Sequence, residues 1–169
     1  MTYQRYSDRL LLCLGTYQFI EETLRFCLIR CHATTKFRLD GYLPYHFSLQ
    51  GIEDAALGRL IEWYKSYTVN EELIRDLQRI KKTRDYLAHR GLALTVEESS
   101  NEVFMSDLLT KLEQAQTQAD ECFKQLEGEM QTTDDAVNRA YKTLKTDYAA
   151  NNKTPPKAFE DKPPELDES

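Results

Sequence analysis

Glycine and proline are scarce: six Gly and five Pro in 169 residues, with four of the prolines after residue 154. Short strands joined by tight turns need such residues at every turn, so the body of the chain favours long helices. Long apolar runs are also missing. The run Leu10 to Leu14 is too short for a membrane span, Arg5, Asp8 and Arg9 precede it, and no small-residue cleavage site follows. The expectation is no membrane association and a cytoplasmic location. There is no internal repeat, no Gly-rich phosphate loop and no nucleophile elbow.

Four cysteines, Cys13, Cys27, Cys31 and Cys122, read as reduced thiols in that compartment. Cys27 and Cys31 lie four apart beside His32, but two further ligands at usable spacing are lacking. Buried cysteines are expected, with no metal and no cofactor.

The net charge is −6 and uneven: residues 1–93 hold 14 Lys/Arg against 11 Asp/Glu, residues 94–169 hold 8 against 17. Phosphate attraction dominates nucleic-acid binding, so the whole chain is not an obvious binder. A locally basic helix face is compatible with a small RNA site or with ordinary solvation.

What is present is helical periodicity. Residues 3–33 predict one long helix, with Leu10, Leu14, Tyr17, Ile20, Leu24, Cys27, Leu28 and Cys31 on one side and Leu11, Phe19 and Phe26 widening the apolar face. Residues 34–52 break the pattern at Asp40-Gly41, Pro44 and Gly51, and are rich in rings: Phe37, Tyr42, Tyr45, His46 and Phe47. Such rings either stack on bases or fold back over a bundle, and packing is the expectation. Residues 53–67 predict a second helix in which Gly58 allows a neighbour to approach closely. Residues 71–90 predict a third, antiparallel to the second. It is capped by Asn70, acidic at Glu71 and Glu72, and closed by Gly91 in a left-handed conformation.

A capping box at Ser99-Ser100-Asn101-Glu102 predicts a fourth helix to about residue 130. Its middle, Glu113 to Ala119, is thin in large apolar residues and is expected to run partly clear of the core or to pair with another chain. Thr133-Asp134-Asp135 predicts a fifth helix to about residue 150. The sum is an all-α, up-and-down bundle of about five helices over residues 1–150. A disordered tail is expected over 151–169, where Pro-Pro occurs twice.

Chemistry concentrates in Arg84-Asp85-Tyr86-Leu87-Ala88-His89. Metal-independent RNA cleavage needs a proton-moving group near neutral pH, which a His supplies. It also needs a fixed positive charge at the phosphate, which an Arg supplies. Asp85 precedes His89 by four residues and is placed to orient the imidazole. Arg84 and His89 point about 140° apart on a straight helix, so a shared site calls for two copies facing each other. The spacing alone is weak, since Arg25 and His32 fit its looser form. Without function, Arg84 is a surface residue and Asp85–His89 a pair at a helix end.

Arg84-Asp85-x-x-Ala88-His89, late in a helix of a small helical domain, resembles the HEPN (higher eukaryotes and prokaryotes nucleotide-binding) superfamily. Its pattern is Arg, a polar Asn, Asp or His, then His after four to six intervening residues. Leu57-Gly58-x-Leu60-Ile61 and Asn70-x-x-Leu73-Ile74 also look like many members, and the resemblance covers roughly residues 5–130. It implies a bundle that dimerises with its Arg-His motifs in one cleft. Active members are metal-independent endoribonucleases of toxin–antitoxin, phage-defence and RNA-processing systems, in which the 2′-hydroxyl attacks the adjacent phosphate. Many toxins pair with a nucleotidyltransferase-type antitoxin. One toxin branch carries Tyr two residues after the His; here that position is Gly91. Other members are inactive binding modules.

The expectation is a HEPN-type endoribonuclease acting as a homodimer on single-stranded RNA: His89 the general acid/base, Arg84 the phosphate clamp, Asp85 the orienting residue. An antitoxin or other protein partner is compatible. The alternative is a catalytically inactive HEPN-like interaction module, favoured by the acidic second half.

Overall fold

The computed structural model describes residues 2–39, 43–91 and 93–150, and these form an all-α bundle. In chain order the helices are α1 (Thr2–Leu39), α2 (Leu49–Glu53), α3 (Leu57–Tyr64), α4 (Glu71–Arg90), α5 (Val96–Ser100) and α6 (Glu102–Ala150). The tail expected beyond residue 150 lies outside the described residues. None of the helices is long and apolar enough to cross a membrane.

α1 carries the centre of the core. Leu10, Ile20, Leu24 and Leu28 are fully buried, Tyr17 nearly so, and Leu57, Leu60, Leu73, Leu77, Met105 and Leu126 close around them. The contacts fix direction. Arg25 meets Ala55 just before α3, and His32, two turns on, meets Tyr67 just after it. α1 and α3 therefore point the same way, and the chain returns between them along residues 43–56 with only the single turn α2. From there the direction alternates: α4 runs back with Arg84 beside Glu21, and α6 runs parallel to α1, since Thr16 faces Gln116 and Arg30 faces Asp134.

Several sequence expectations change. The segment expected to break over 34–52 is helical at both ends: α1 runs on to Leu39, and Ser48 caps α2 by accepting from Gly51 N. The second helix, expected over 53–67, is confined to α3, Leu57–Tyr64, with Ala55 buried just before it. The capping box lies at Thr95 and Glu98, which open α5; α6 starts separately, with Asn101 Oδ1 accepting from Phe104 N at 3.1 Å. The fourth and fifth helices are one: α6 continues through Thr133-Asp134-Asp135. The hydroxyls of Thr132 and Thr133 donate back to the carbonyls of Gly128 and Glu129, 2.9 Å each, and so do not cap. Asp134 instead takes the Arg30 guanidinium at 2.7 Å.

The middle of α6 is not clear of the core. Ala115 and Ala119 are buried, and Gln116 Nε2 donates to Thr16 Oγ1 at 2.8 Å, so small residues serve close packing on α1. The rings at the end of the 34–52 segment do fold back. His32 stacks on Phe47 and Tyr45, and burial lowers its pKa from the ordinary value. The cysteines are free thiols, and burial pushes Cys27 and Cys122 up to about 12. Among the described residues no three His, Cys, Asp or Glu side chains gather as a metal set.

Candidate active site

α4 presents the Arg84–His89 segment, and its construction follows the sequence closely. Asn70 Oδ1 accepts from Leu73 N at 3.0 Å, Glu71 and Glu72 fill the first turn, and Leu73, Leu77, Ile80 and Leu87 face the core. Gly91 departs from expectation. Its φ of −60° is right-handed, so the glycine is not needed for a left-handed turn. It is needed for space: a Cβ there would stand 2.7 Å from Leu10 Cδ2. Tyr6 Oη then donates to the Gly91 carbonyl at 2.7 Å and pins the end of α4 to α1.

Arg84 is half-buried and held from two sides. Its Nη2 donates to Glu21 Oε2 of α1 and its Nη1 to Asp85 Oδ1, both at 3.1 Å. Glu21 is the hub. Its other oxygen takes Arg25 Nη2 at 2.5 Å, and Arg25 also donates to the carbonyls of Glu53 (3.1 Å) and Ala55 (2.9 Å). Asp85 Oδ2 accepts from Lys81 Nζ at 2.8 Å. Lys81 itself lies across Gly58, whose added Cβ would meet Lys81 Cε at 2.6 Å. The close approach expected at Gly58 is thus made by a lysine stem of α4.

The result is an ordered ladder across α1 and α4: Arg25, Glu21, Arg84, Asp85, Lys81. With Glu22, which accepts from Arg25 Nη1 at 2.6 Å, three cations stand against three carboxylates. The Asp85 carboxyl sits below the usual carboxylate range because Lys81 and then Arg84 donate to it, against a smaller opposing effect of burial.

His89 is not part of the ladder. It is exposed in the last turn of α4 and makes no hydrogen bond among the described residues. The structure therefore separates what the sequence grouped. Arg84 and Asp85 are bonded to each other, while Asp85 is committed to Lys81 and Arg84 and does not orient His89. The loosely matching pair Arg25 and His32 is also split: Arg25 binds loop carbonyls and Glu21, and His32 belongs to the ring cluster.

Sequence reasoning missed Glu21 and Arg25 as parts of this site. They lie on another helix, 63 residues from Arg84 in the case of Glu21. The available signal was their four-residue spacing on the flank of the α1 core stripe. What one chain offers chemically is a fixed, partly exposed guanidinium and, one turn on, a free imidazole. No family model, curated protein or solved structure matches the chain.

Proposed function

We propose that the chain is a HEPN-type endoribonuclease that cleaves single-stranded RNA as a homodimer, without a metal. One observation carries this reading: Arg84 is positioned by Glu21 and Asp85 with 35% of its side chain still exposed, while His89 is exposed and makes no hydrogen bond among the described residues. Positioned charge acts strongly on a developing anion, because no reorganisation is needed when it forms. A free imidazole is suited to proton transfer.

In the proposed reaction one His89 takes the proton of a 2′-hydroxyl. The 2′-oxygen attacks the adjacent phosphorus, and the bond to the 5′-oxygen breaks. His89 of the second copy gives that oxygen its proton, leaving a 2′,3′-cyclic phosphate and a 5′-hydroxyl. Arg84 steadies the negative charge on the phosphate oxygens. Two copies are needed because one chain turns Arg84 toward α1 and His89 toward solvent.

The outward face of α1 supports a dimer. Leu11 (59% exposed), Leu12 (54%) and Phe19 (67%) stand there, opposite the core stripe. A Cβ at Gly15 between them would meet nothing within 4 Å. Apolar residues clustered on one open face favour an interface, and this face adjoins the flank that carries Glu21. The test is RNA cleavage in EDTA by the wild type, Arg84→Ala and His89→Ala.

A second reading, a non-catalytic HEPN-like interaction module, is favoured by one feature. The Arg84 guanidinium already has two carboxylate partners, so a phosphate must displace or share at least one of them. On that reading the open α1 face takes a different protein, such as an antitoxin, and RNA is left intact.

A further inference from the structure

A groove of about 850 Å³ opens on another part of the molecule, between the end of α1, residues 46–56 and the outer side of α3. Neither Arg84 nor His89 lines it. Its walls carry His32, Phe47, Trp63 and Tyr67. The rings are prearranged: His32 stacks on Phe47 with centroids 4.9 Å apart and planes 11° apart, and Tyr67 meets His32 edge-on at 5.4 Å. Tyr45 Oη and His32 Nδ1 lie 2.5 Å apart and fix the imidazole plane.

The polar side of the groove carries one guanidinium, Arg59, and one carboxylate, Asp54. The Arg59 guanidinium lies over the Trp63 ring at 5.0 Å. Arg59 is exposed, and it makes no ion pair among the described residues. Asp54, the carboxylate among the lining residues, accepts from Gln50 Nε2 at 2.9 Å. A guanidinium stacked on an indole keeps the donors along its edge free for an anion.

A ligand that matches both halves has a flat apolar face and a negative group beside it. The volume lies within the range of small-molecule sites, roughly 300–1,000 Å³. We propose that this groove binds a nucleotide unit, its base against the Trp63 and Phe47 rings and its phosphate at the free edge of Arg59. The groove's chemistry is independent of Arg84 and His89; only the choice of RNA over free nucleotide as the natural source rests on the ribonuclease reading. The groove also touches the Arg84 ladder through one strut. Arg25 holds the carbonyl of Ala55, a lining residue of the groove, and that of Glu53, and passes to Glu21, which holds Arg84.

Trp63 is the single tryptophan of the chain, so its emission reports on the groove directly. The full chain is titrated with uridine monophosphate, a five-nucleotide single-stranded RNA, ribose 5-phosphate and inorganic phosphate. Saturable quenching by the RNA, with or without the mononucleotide, is the expected result. RNA alone identifies a strand as the source, and equal binding of the mononucleotide identifies free nucleotide. Arg59→Gln and Phe47→Leu weaken binding, the latter by the about 5- to 150-fold that loss of one base–ring stack brings. Trp63 lines this groove and neither Arg84 nor His89 does, so its quenching reads this site and not the cleavage site.

Arg59 is exposed, so Arg59→Gln keeps the fold, and far-UV circular dichroism checks Phe47→Leu. Anisotropy of a labelled RNA follows Trp63→Phe, which has no emission of its own to read. Absence of quenching by any nucleotide overturns the proposal. So does equal quenching by ribose 5-phosphate or phosphate, which marks an anion site without a base. Wild-type affinity in both Arg59→Gln and Phe47→Leu overturns it as well.

Discussion

Glu21 holds two guanidinium groups while only 13% of its side chain is exposed. Removing it leaves Arg84 with Asp85 and Arg25 with Glu22 and two carbonyls. Each guanidinium loses a bond in a half-buried helix seam, where an unmade bond costs more than the made one contributed. Glu21→Ala is therefore expected to lower stability by about 1–3 kcal/mol in urea unfolding, and Glu21→Gln by less. Asp85 gives a pH signature. Its carboxyl is held below the usual range by Lys81 and Arg84, so its contribution is complete above the unfolded value of about 4 and is lost as pH falls through the lower folded value. The pair with Lys81 is well exposed, so the effect stays below about 1 kcal/mol. Urea midpoints of the wild type should fall more on acidification below about pH 4 than those of Asp85→Asn; parallel curves would refute this. The motif itself was legible from spacing. Its partner Glu21 was not, because an ion pair between helices depends on which flanks meet, and that is set by the packing of Leu10, Tyr17 and Leu24 against α4 and α6 rather than by any local pattern.

Among the elements, α6 shows where sequence patterning reaches its limit. A run poor in large apolar residues reads as exposed, yet Ala119 is fully buried. Small size is what close helix approach requires, and hydropathy does not register it. Ala119→Leu is expected to cost about 1–3 kcal/mol by overpacking, measured as a lowered urea midpoint, where a freely exposed position would change little. The false break at Thr133-Asp134-Asp135 has a similar origin. Those residues make a good cap in isolation, but inside a helix the threonines bond back to the preceding turn and Asp134 is claimed by Arg30 from 104 residues away. The long helices α1 and α4 were legible because their apolar spacing is strict. The return between α1 and α3 was legible only as turns and rings, since its path is set by His32, Phe47 and Tyr67 meeting across the fold.

For the whole molecule, the account depends on association. Leu11, Leu12 and Phe19 leave one face of α1 open, and truncating or charging a central apolar anchor of an interface is a severe change. Phe19→Glu is expected to weaken self-association by about tenfold or more in sedimentation, with the far-UV spectrum unchanged because Phe19 lies outside the core. An unaltered dimer in this variant would move the interface elsewhere. A chain that stays monomeric at high concentration would remove the basis for a shared site.

The most direct measurement of the central claim is cleavage of single-stranded RNA in EDTA by wild type, Arg84→Ala and His89→Ala, each shown by sedimentation to be in the same oligomeric state. The account predicts that the wild type cleaves to 2′,3′-cyclic phosphate ends, that His89→Ala loses about 10²–10⁴-fold, and that Arg84→Ala loses about 10²–10³-fold. Cleavage that persists at the wild-type rate in both variants, or a well-folded wild-type dimer that leaves RNA intact, would contradict it.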